Sequence, residues 1–241
     1  MGKPYEIIFA DDDLLVVDKT CALSVQKDKT GDEDIQSLLS REQPSPSGFL
    51  EACHRIDRRT SGLVLFARNP QALAKLEKDF QDRNVQKTYL ACLEKEPMPE
   101  AGDLEHRIVH DQRRNITVAR PDPAPGEIKG RFKRASLHYS LILKTDRYFF
   151  VQVEPRTGRH HQIRAQFAAA GWPIKGDLKY GARRGSDSGR IMLHAWKIAF
   201  RHPRTAKPMG FEAPLPGDEK LWQVLGEHLA KAGSTGAQDQ A

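Results

Sequence analysis

The sequence predicts an α+β protein, and three observations carry that prediction. Residues 5–18 and 137–154 read as pairs of short strands around polar turns. Two other stretches, after Asn69-Pro70 and from Asp218 to Ala232, place apolar residues three and four apart, the period of a helix with one buried face. With 241 residues, the chain has ample material for one large core.

Taken in order, Ile7 to Phe9 and Leu14 to Val17 are two strands joined by the acidic turn Asp11 to Asp13. Asp34 to Leu39 is a short helix, and the two prolines, two serines and glycine of residues 43–48 form a loop. Leu63 to Arg68 is a buried strand. Asn69 and Pro70 then start a helix as N-cap and first residue, with Leu73, Leu76 and Phe80 as its apolar stripe to Asp82. Val85 to Glu94 is a strand with Val85, Lys87, Tyr89, Ala91 and Leu93 on one face. Residues 95–134, interrupted by Pro97, Pro99, Pro121, Pro123 and Pro125, give no clear element. His106 and His110 are spaced like two ligands on a helix, but the glutamate of a zinc motif is missing and Arg107 lies between them, so no metal is expected. Leu137 to Lys144 and Tyr148 to Glu154 pair around residues 145–147. Ile163, Phe167 and Ala170 mark a helical face ended by Gly171 and Pro173. On such a helix the adjacent His160 and His161 point about 100° apart and cannot share a metal. The last helix, Asp218 to Ala232, buries Leu221, Trp222, Leu225 and Leu229. Residues 1–232 are expected to form one domain, and 233–241 a disordered polar tail.

The formal charge is +6, from 38 Lys and Arg against 32 Asp and Glu, which suits a polyanionic partner. Basic residues gather in 113–134, 156–164, 179–190 and 197–207. Cys21, Cys53 and Cys92 are odd in number, lack a CxxC spacing and adjoin apolar stretches, so they read as reduced and buried in a cytoplasmic protein. The N-terminus has no signal-peptide core, and no run of 18 apolar residues occurs. A membrane partner is not expected. Neither a phosphate-cradling G-x-x-x-x-G-K-[ST] nor a strand followed by G-x-G-x-x-G is present, and no cofactor is expected.

One stretch concentrates chemistry. Residues 51–68 set a single acid, Asp57, among Arg55, Arg58, Arg59, Thr60 and Ser61, then Gly62 and an apolar run. An acid with that many cations around it keeps its charge at neutral pH and suits a nucleophile or base. The plainer alternative is a surface ion pair. The wording of the motif favours the chemical reading: His54-Arg55-Ile56-Asp57 followed by Thr60-Ser61-Gly62-Leu63 resembles the signature of the RluA-type RNA pseudouridine synthases, with Ile56 for leucine. Five further stretches are similar to that family in the same order. Lys19 lies in the first, with Thr20 and Ala22 where the family has proline and glycine. Lys87-Thr88-Tyr89-Leu90-Ala91 matches Lys-x-Tyr-x-Ala, and Thr157 to Arg164 matches Thr-Gly-Arg-Thr-His-Gln-Ile-Arg with His160 for the second threonine. Residues 173–181 and the strand at Leu193-His194-Ala195 complete the set.

The resemblance implies a mixed, mainly antiparallel sheet with flanking helices and a central RNA-binding cleft, in the short form that lacks an N-terminal S4-like domain. It implies that Asp57 is the catalytic carboxylate, and that Arg55 enters the RNA stack in place of a flipped base. Tyr89 then packs on that base and is the candidate for removing its C5 proton, while Arg164 holds Asp57 charged and oriented. Arg58, Arg59, Arg159, Lys175 and Lys179 are expected to contact phosphates, and Lys19, Thr60 and His161 complete the RNA-binding set. The partner is expected to be a ribosomal or transfer RNA stem-loop, bound by a monomer.

The chemistry fits these residues. Uridine isomerisation breaks the N1–C1′ bond and rejoins the ring through C5 with no atoms gained or lost, so it requires no redox cofactor. A base must leave the helix before a side chain reaches it. Asp57 can act on C1′, on C6 or on the 2′ proton, and the sequence does not choose. Two other functions compete: a catalytically silent RNA-binding or chaperone protein on the same fold, and a carboxylate hydrolase of glycosides. The hydrolase needs a second acid beside Asp57, which no comparable motif supplies.

Overall fold

The computed structural model describes residues 3–20, 23–27, 31–121, 132–186, 189–217 and 219–236. The chain opens with the hairpin β1 (Tyr5–Ala10) and β2 (Leu14–Lys19), whose acidic turn has a mechanism: Asp11 Oδ1 accepts the backbone N–H groups of Asp13 and Leu14, both at 2.8 Å. Helix α1 (Ile35–Glu42) is capped by Asp34, which accepts the Ser37 N–H. The two-residue β3 (Glu51–Ala52) leads through a loop into β4 (Ser61–Ala67). Helix α2 (Pro70–Gln81) starts as its sequence demands, with Asn69 accepting the Ala72 N–H at 2.8 Å and Pro70 in the first turn.

Strand β5 (Gln86–Leu93) follows, then β6 (Ala101–Asp111), β7 (Ile116–Pro121), β8 (Lys133–Lys144) and β9 (Phe149–Pro155). After α3 (Gln162–Ala169) and a single 3-10 turn at Leu178–Tyr180 come β10 (Leu193–Arg201), β11 (Pro208–Glu212) and α4 (Lys220–Gly236). All eleven strands join one sheet in the order β1-β2-β4-β10-β5-β9-β8-β6-β7, with β11 paired to β10 and β3 to β4. Among the described strands only β4 and β10 run parallel, and that contact brings Ser61 beside His194 and Gly62 beside Ala195. The expected mixed, mainly antiparallel sheet is what forms.

The two central strands β2 and β4 are apolar on both faces because both faces are covered. Leu15, Val17, Val64 and Phe66 enter the larger core with α1, β5, β9, α3 and α4, while Leu14, Val16, Leu63 and Leu65 enter a smaller one with Leu76 of α2. Gly62 belongs to this junction. Its φ is +111°, and a Cβ there would lie 2.3 Å from the Ala195 carbonyl oxygen, so only glycine lets β10 pass this close.

Several expectations need correction. Residues 101–121 form the long hairpin β6-β7, and β8 begins at Lys133; Pro97 and Pro99 precede β6, and Pro121 ends a strand at the sheet edge, where a missing N–H costs no ladder bond. His106 and His110 are therefore on a strand, not a helix. His160 and His161 also lie outside a helix: His161 is the N-cap of α3 with φ +50°, and the two rings stack with centroids 3.9 Å apart. Helix α4 continues to Gly236, past the expected boundary at Ala232, while Asp218 and residues 237–241 lie outside the described residues. Cys92 is buried and Cys53 half-buried, both free, and Cys21 lies outside the described residues, as does Ala22.

Candidate active site

Two pieces of chain meet at Asp57. The first is the loop between β3 and β4. Its entry is tied down by His54, whose Nε2 accepts the Leu65 N–H at 3.1 Å; burial drives this imidazole down to about 3, so it stays neutral. The Thr60 N–H donates to the Asp57 carbonyl at 3.0 Å and closes a tight turn around the acid. Beneath it the buried Lys19 ammonium donates to the carbonyls of Thr20, Leu23 and Arg58 at 2.8, 3.0 and 3.4 Å. This fully buried cation holds the loop in place.

The second piece is α3 with the turn that follows it. Arg164 donates from Nε and Nη2 to the two carboxylate oxygens of Asp177, at 2.6 and 2.8 Å, and from Nη1 to Asp57 Oδ2 at 3.0 Å. Its guanidinium also lies 4.8 Å from the Tyr180 ring centroid. Burial opposes a charge here, but the bonds to Asp177 and the field of Asp57 outweigh it and raise the guanidinium still further. Asp177 is placed by Gly176, where a Cβ would lie 2.6 Å from the Arg190 carbonyl oxygen. Buried carboxylate, buried guanidinium and half-buried carboxylate thus form a row in which the middle charge fixes the outer one. Asp57 Oδ2 is engaged in this row, and no described residue donates a hydrogen bond to Oδ1.

Tyr89, central in β5 and 8 % exposed, is raised well above its ordinary value by burial and then by Asp57, so it is a neutral phenol. His161 is buried, with Nδ1 2.9 Å from the Tyr180 hydroxyl and Nε2 3.8 Å from Asp57 Oδ2. Around them Arg55, Arg58, Arg59, Arg159 and Lys179 are exposed. Arg58 is bonded to Asp32 at 2.6 Å, and Lys179 donates to the Asn115 carbonyl at 3.1 Å.

The expected site residues therefore divide. Asp57, Arg164 and His161 come together, Tyr89 lies in the field of Asp57, and Arg55, Arg58, Arg59, Arg159 and Lys179 are exposed around them. Thr60 and His161, both expected in the RNA-binding set, are buried. Lys175 extends to the β8-β9 turn, its ammonium 5.7 Å from the Tyr148 ring centroid. Sequence reasoning gave no role to Asp177 and Tyr180, although both lie in a motif it matched. It also missed Thr117, which no local signal marked, and weighed His110 only as a metal ligand.

Comparison with known proteins identifies the family and the fold. Residues 13–169 match the RNA pseudouridylate synthase family. The chain is 34 % identical over 225 residues to a ribosomal large subunit pseudouridine synthase C from Vibrio vulnificus, covering 91 % of this chain and 68 % of that protein. It is 32 % identical over 213 residues to an uncharacterized RNA pseudouridine synthase from Zymomonas mobilis, covering 87 % and 93 %. The solved structure of human RNA pseudouridylate synthase domain containing 4 superposes with a TM-score of 0.73 at 22 % identity, over 93 % of this chain and 92 % of that one, which speaks for the fold alone. The fold and the family match define an RNA-modifying isomerase. The chain belongs to the RNA pseudouridylate synthase family. Among the described residues no helix is long and apolar enough to cross a membrane.

Proposed function

We propose that this protein converts uridine to pseudouridine at specific positions of a structured RNA, with Asp57 as the catalytic carboxylate acting on a base flipped out of its helix. The observation that carries the proposal is the asymmetry of Asp57: Oδ2 is held by Arg164, while Oδ1 has no donor among the described residues and is free to act. An oriented carboxylate with one open oxygen suits attack at C1′ or C6 and removal of the 2′ proton alike.

In this account Arg55 fills the gap left by the base, and Tyr89 stacks on the base within the pocket. Because Tyr89 is held as a neutral phenol, it removes the C5 proton only as its own proton moves on, with the Asp57 carboxylate as the near acceptor. Arg58, Arg59, Arg159 and Lys179 bind phosphates and fix the register of the RNA without reading its bases. The substrate is proposed to be ribosomal RNA, by the names of the Vibrio relative and its like. The protein works as a cytoplasmic monomer, and no step needs a metal or cofactor.

The site is tested by mapping pseudouridine in large-subunit ribosomal RNA from cells with and without the gene, and after restoring either wild type or Asp57→Ala. One or a few pseudouridines should vanish with the gene and return only with wild type. An unchanged ribosomal RNA map, with a change in transfer RNA, would move the substrate to transfer RNA.

A further inference from the structure

Asp57 has a second neighbour of unusual construction. His161 sits at the N-terminus of α3 in the left-handed region, φ +50°, a conformation that non-glycine residues keep only where their surroundings enforce it. Its ring is confined on two sides. His160 stacks on one face at 3.9 Å between centroids, and Tyr180 meets it edge-on at 5.6 Å. His110, on β6, packs in turn against His160 at 4.0 Å. His160 stands where the family pattern has threonine, so this chain supplies an extra aromatic wall to that ring.

The hydrogen bonds select one tautomer. The Thr117 N–H donates to the Tyr180 hydroxyl oxygen at 2.8 Å, and that oxygen lies 2.9 Å from His161 Nδ1. On the other side of the ring Nε2 faces the Asp57 Oδ2 anion at 3.8 Å. A bare nitrogen lone pair pointed at a carboxylate oxygen is repulsive, whereas an N–H is attractive. A neutral ring with its proton on Nε2 leaves Nδ1 to accept from the Tyr180 hydroxyl, and every group in the row then has a partner of opposite polarity.

We infer that His161 is a positioning residue for the isomerisation: held as the Nε2–H tautomer by the Thr117-Tyr180 relay, it joins Arg164 in restraining Asp57 Oδ2 and turns Oδ1 toward the substrate. This rests on Asp57 as the catalytic carboxylate. Burial lowers the imidazole to about 3 against the pull of Asp57, while Arg164, His160 and Lys179 push the same way as burial, so the ring stays neutral. Neutrality matters. A charged imidazolium would compete with Arg164 for the carboxylate and blunt its reactivity, whereas a neutral N–H aligns it. At 3.8 Å the contact is a dipole facing an anion and not a full hydrogen bond. The same N–H is lost as a restraint if the ring turns over, and the relay together with the stacked His160 prevents that.

Two measurements on the full chain test this. Two-bond nitrogen-proton correlations in histidine-labelled protein, with the His161 signals assigned by their loss in His161→Gln, should show a neutral ring protonated at Nε2 at pH 7. Tyr180→Phe should admit the other tautomer. A wild-type ring protonated at Nδ1, or on both nitrogens, overturns the inference. In single-turnover assays on saturating RNA, His161→Ala should lose about 10- to 100-fold in rate with RNA affinity unchanged, the scale of a lost orienting partner. His161→Gln, whose amide N–H reaches the position of Nε2, should recover most of it, and Tyr180→Phe should fall between. Wild-type rates in His161→Ala and Tyr180→Phe overturn the inference and leave the function intact, provided Asp57→Ala is inactive in the same assay. An active Asp57→Ala overturns the function itself. If His161→Ala fails to fold, His161→Gln and Tyr180→Phe decide: a rate in both equal to that of wild type, with no change of tautomer, is the contradicting result.

Discussion

Two clusters in this molecule contain the same kinds of groups, and only one has the makings of an active site. At one end of the sheet Asp11, Asp13, His202 and Arg204 join the β1-β2 turn to the β10-β11 turn; in the cleft Asp57, Asp177, His161 and Arg164 join the β3-β4 loop to α3. The carboxylates of the first cluster are the more heavily bonded, and the Asp13 side chain is buried, with His202 Nε2 3.7 Å from its Oδ2. Asp11 accepts two backbone N–H groups on Oδ1 and His202 Nε2 at 2.9 Å on Oδ2, and Asp13 Oδ1 accepts Arg204 at 2.7 Å and Asn69 at 2.8 Å. His202 Nδ1 accepts the N–H groups of Arg204 and Thr205, both at 3.2 Å, which puts the ring proton on Nε2, facing Asp11. Three potential ligand atoms within 4.8 Å of one another look like a metal site, yet hydrogen bonds already occupy most of their lone pairs, so the cluster is a clasp. In the cleft the same types leave Asp57 Oδ1 without a donor among the described residues, on a side chain that is 22 % exposed. What separates the site from the clasp is access: Asp57 presents an oxygen without a donor on a side chain that reaches solvent, whereas Asp13 is buried and Asp11 is bonded at both oxygens.

That contrast orders the expected effects of substitution. Arg164→Lys should be the most damaging change short of removing Asp57, because one ammonium cannot serve Asp57 and both oxygens of Asp177 at once. The single-turnover rate should fall about 100-fold or more, and the chemical-denaturation midpoint should drop, since Asp177 is left buried without its bidentate partner. Near-normal turnover would detach Arg164 from the mechanism. Gly62→Ala should act on the frame beneath both clusters, costing about 2 kcal/mol or more of unfolding free energy, because the added Cβ meets the β10 backbone at a positive φ.

Asp13→Asn should do the opposite of Arg164→Lys, costing about 1 kcal/mol of stability with the turnover rate unchanged. Its pH dependence has a definite sign. Burial works to raise the Asp13 carboxyl, but the bonds from Arg204 and Asn69 prevail and hold it below the usual carboxylate range. The stabilisation is therefore present above the unfolded value and lost as pH falls through the folded one. Thermal melts of wild type and Asp13→Asn should differ at pH 7 and draw together only as the pH falls below the usual carboxylate range. A rate defect in Asp13→Asn would break the comparison. Arg58→Gln should have the smallest effect. The Arg58 pair with Asp32 is exposed, so stability should barely move, and RNA affinity should weaken modestly with a salt slope shallower by about 1.

The parts of the fold legible in the sequence were those specified locally. The apolar runs of β2 and β4, the Asn69-Pro70 start of α2 and the stripe of α4 each follow from residues a few positions apart. The hairpin β6-β7 did not announce itself because it is half-exposed along its length and its inward residues are His106, His110 and Thr117, polar groups that settle against residues 160–166 and Tyr180. The resemblance put Lys19 in the RNA-binding set; only the folded loop, which brings the Arg58 carbonyl from 39 positions away, makes it a buried brace. In the same way the His160-His161 pair reads as helical by position, and the left-handed turn at His161 is enforced by contacts with Tyr180 and Asp57 that no local pattern encodes. Motifs thus named the residues at the site, while long-range packing decided which of them are buried and hold the others.

The measurement that tests the central claim most directly is release of tritium from RNA labelled at uracil C5, prepared from cells lacking this protein, with wild type and Asp57→Ala compared at equal RNA occupancy. Wild type should release tritium and Asp57→Ala should not, although it binds the same RNA and melts at the same temperature. Release by Asp57→Ala at the wild-type rate would contradict the assignment of Asp57. Tight binding with no release by wild type from RNA that contains the native target would mean that the fold serves RNA binding without isomerisation.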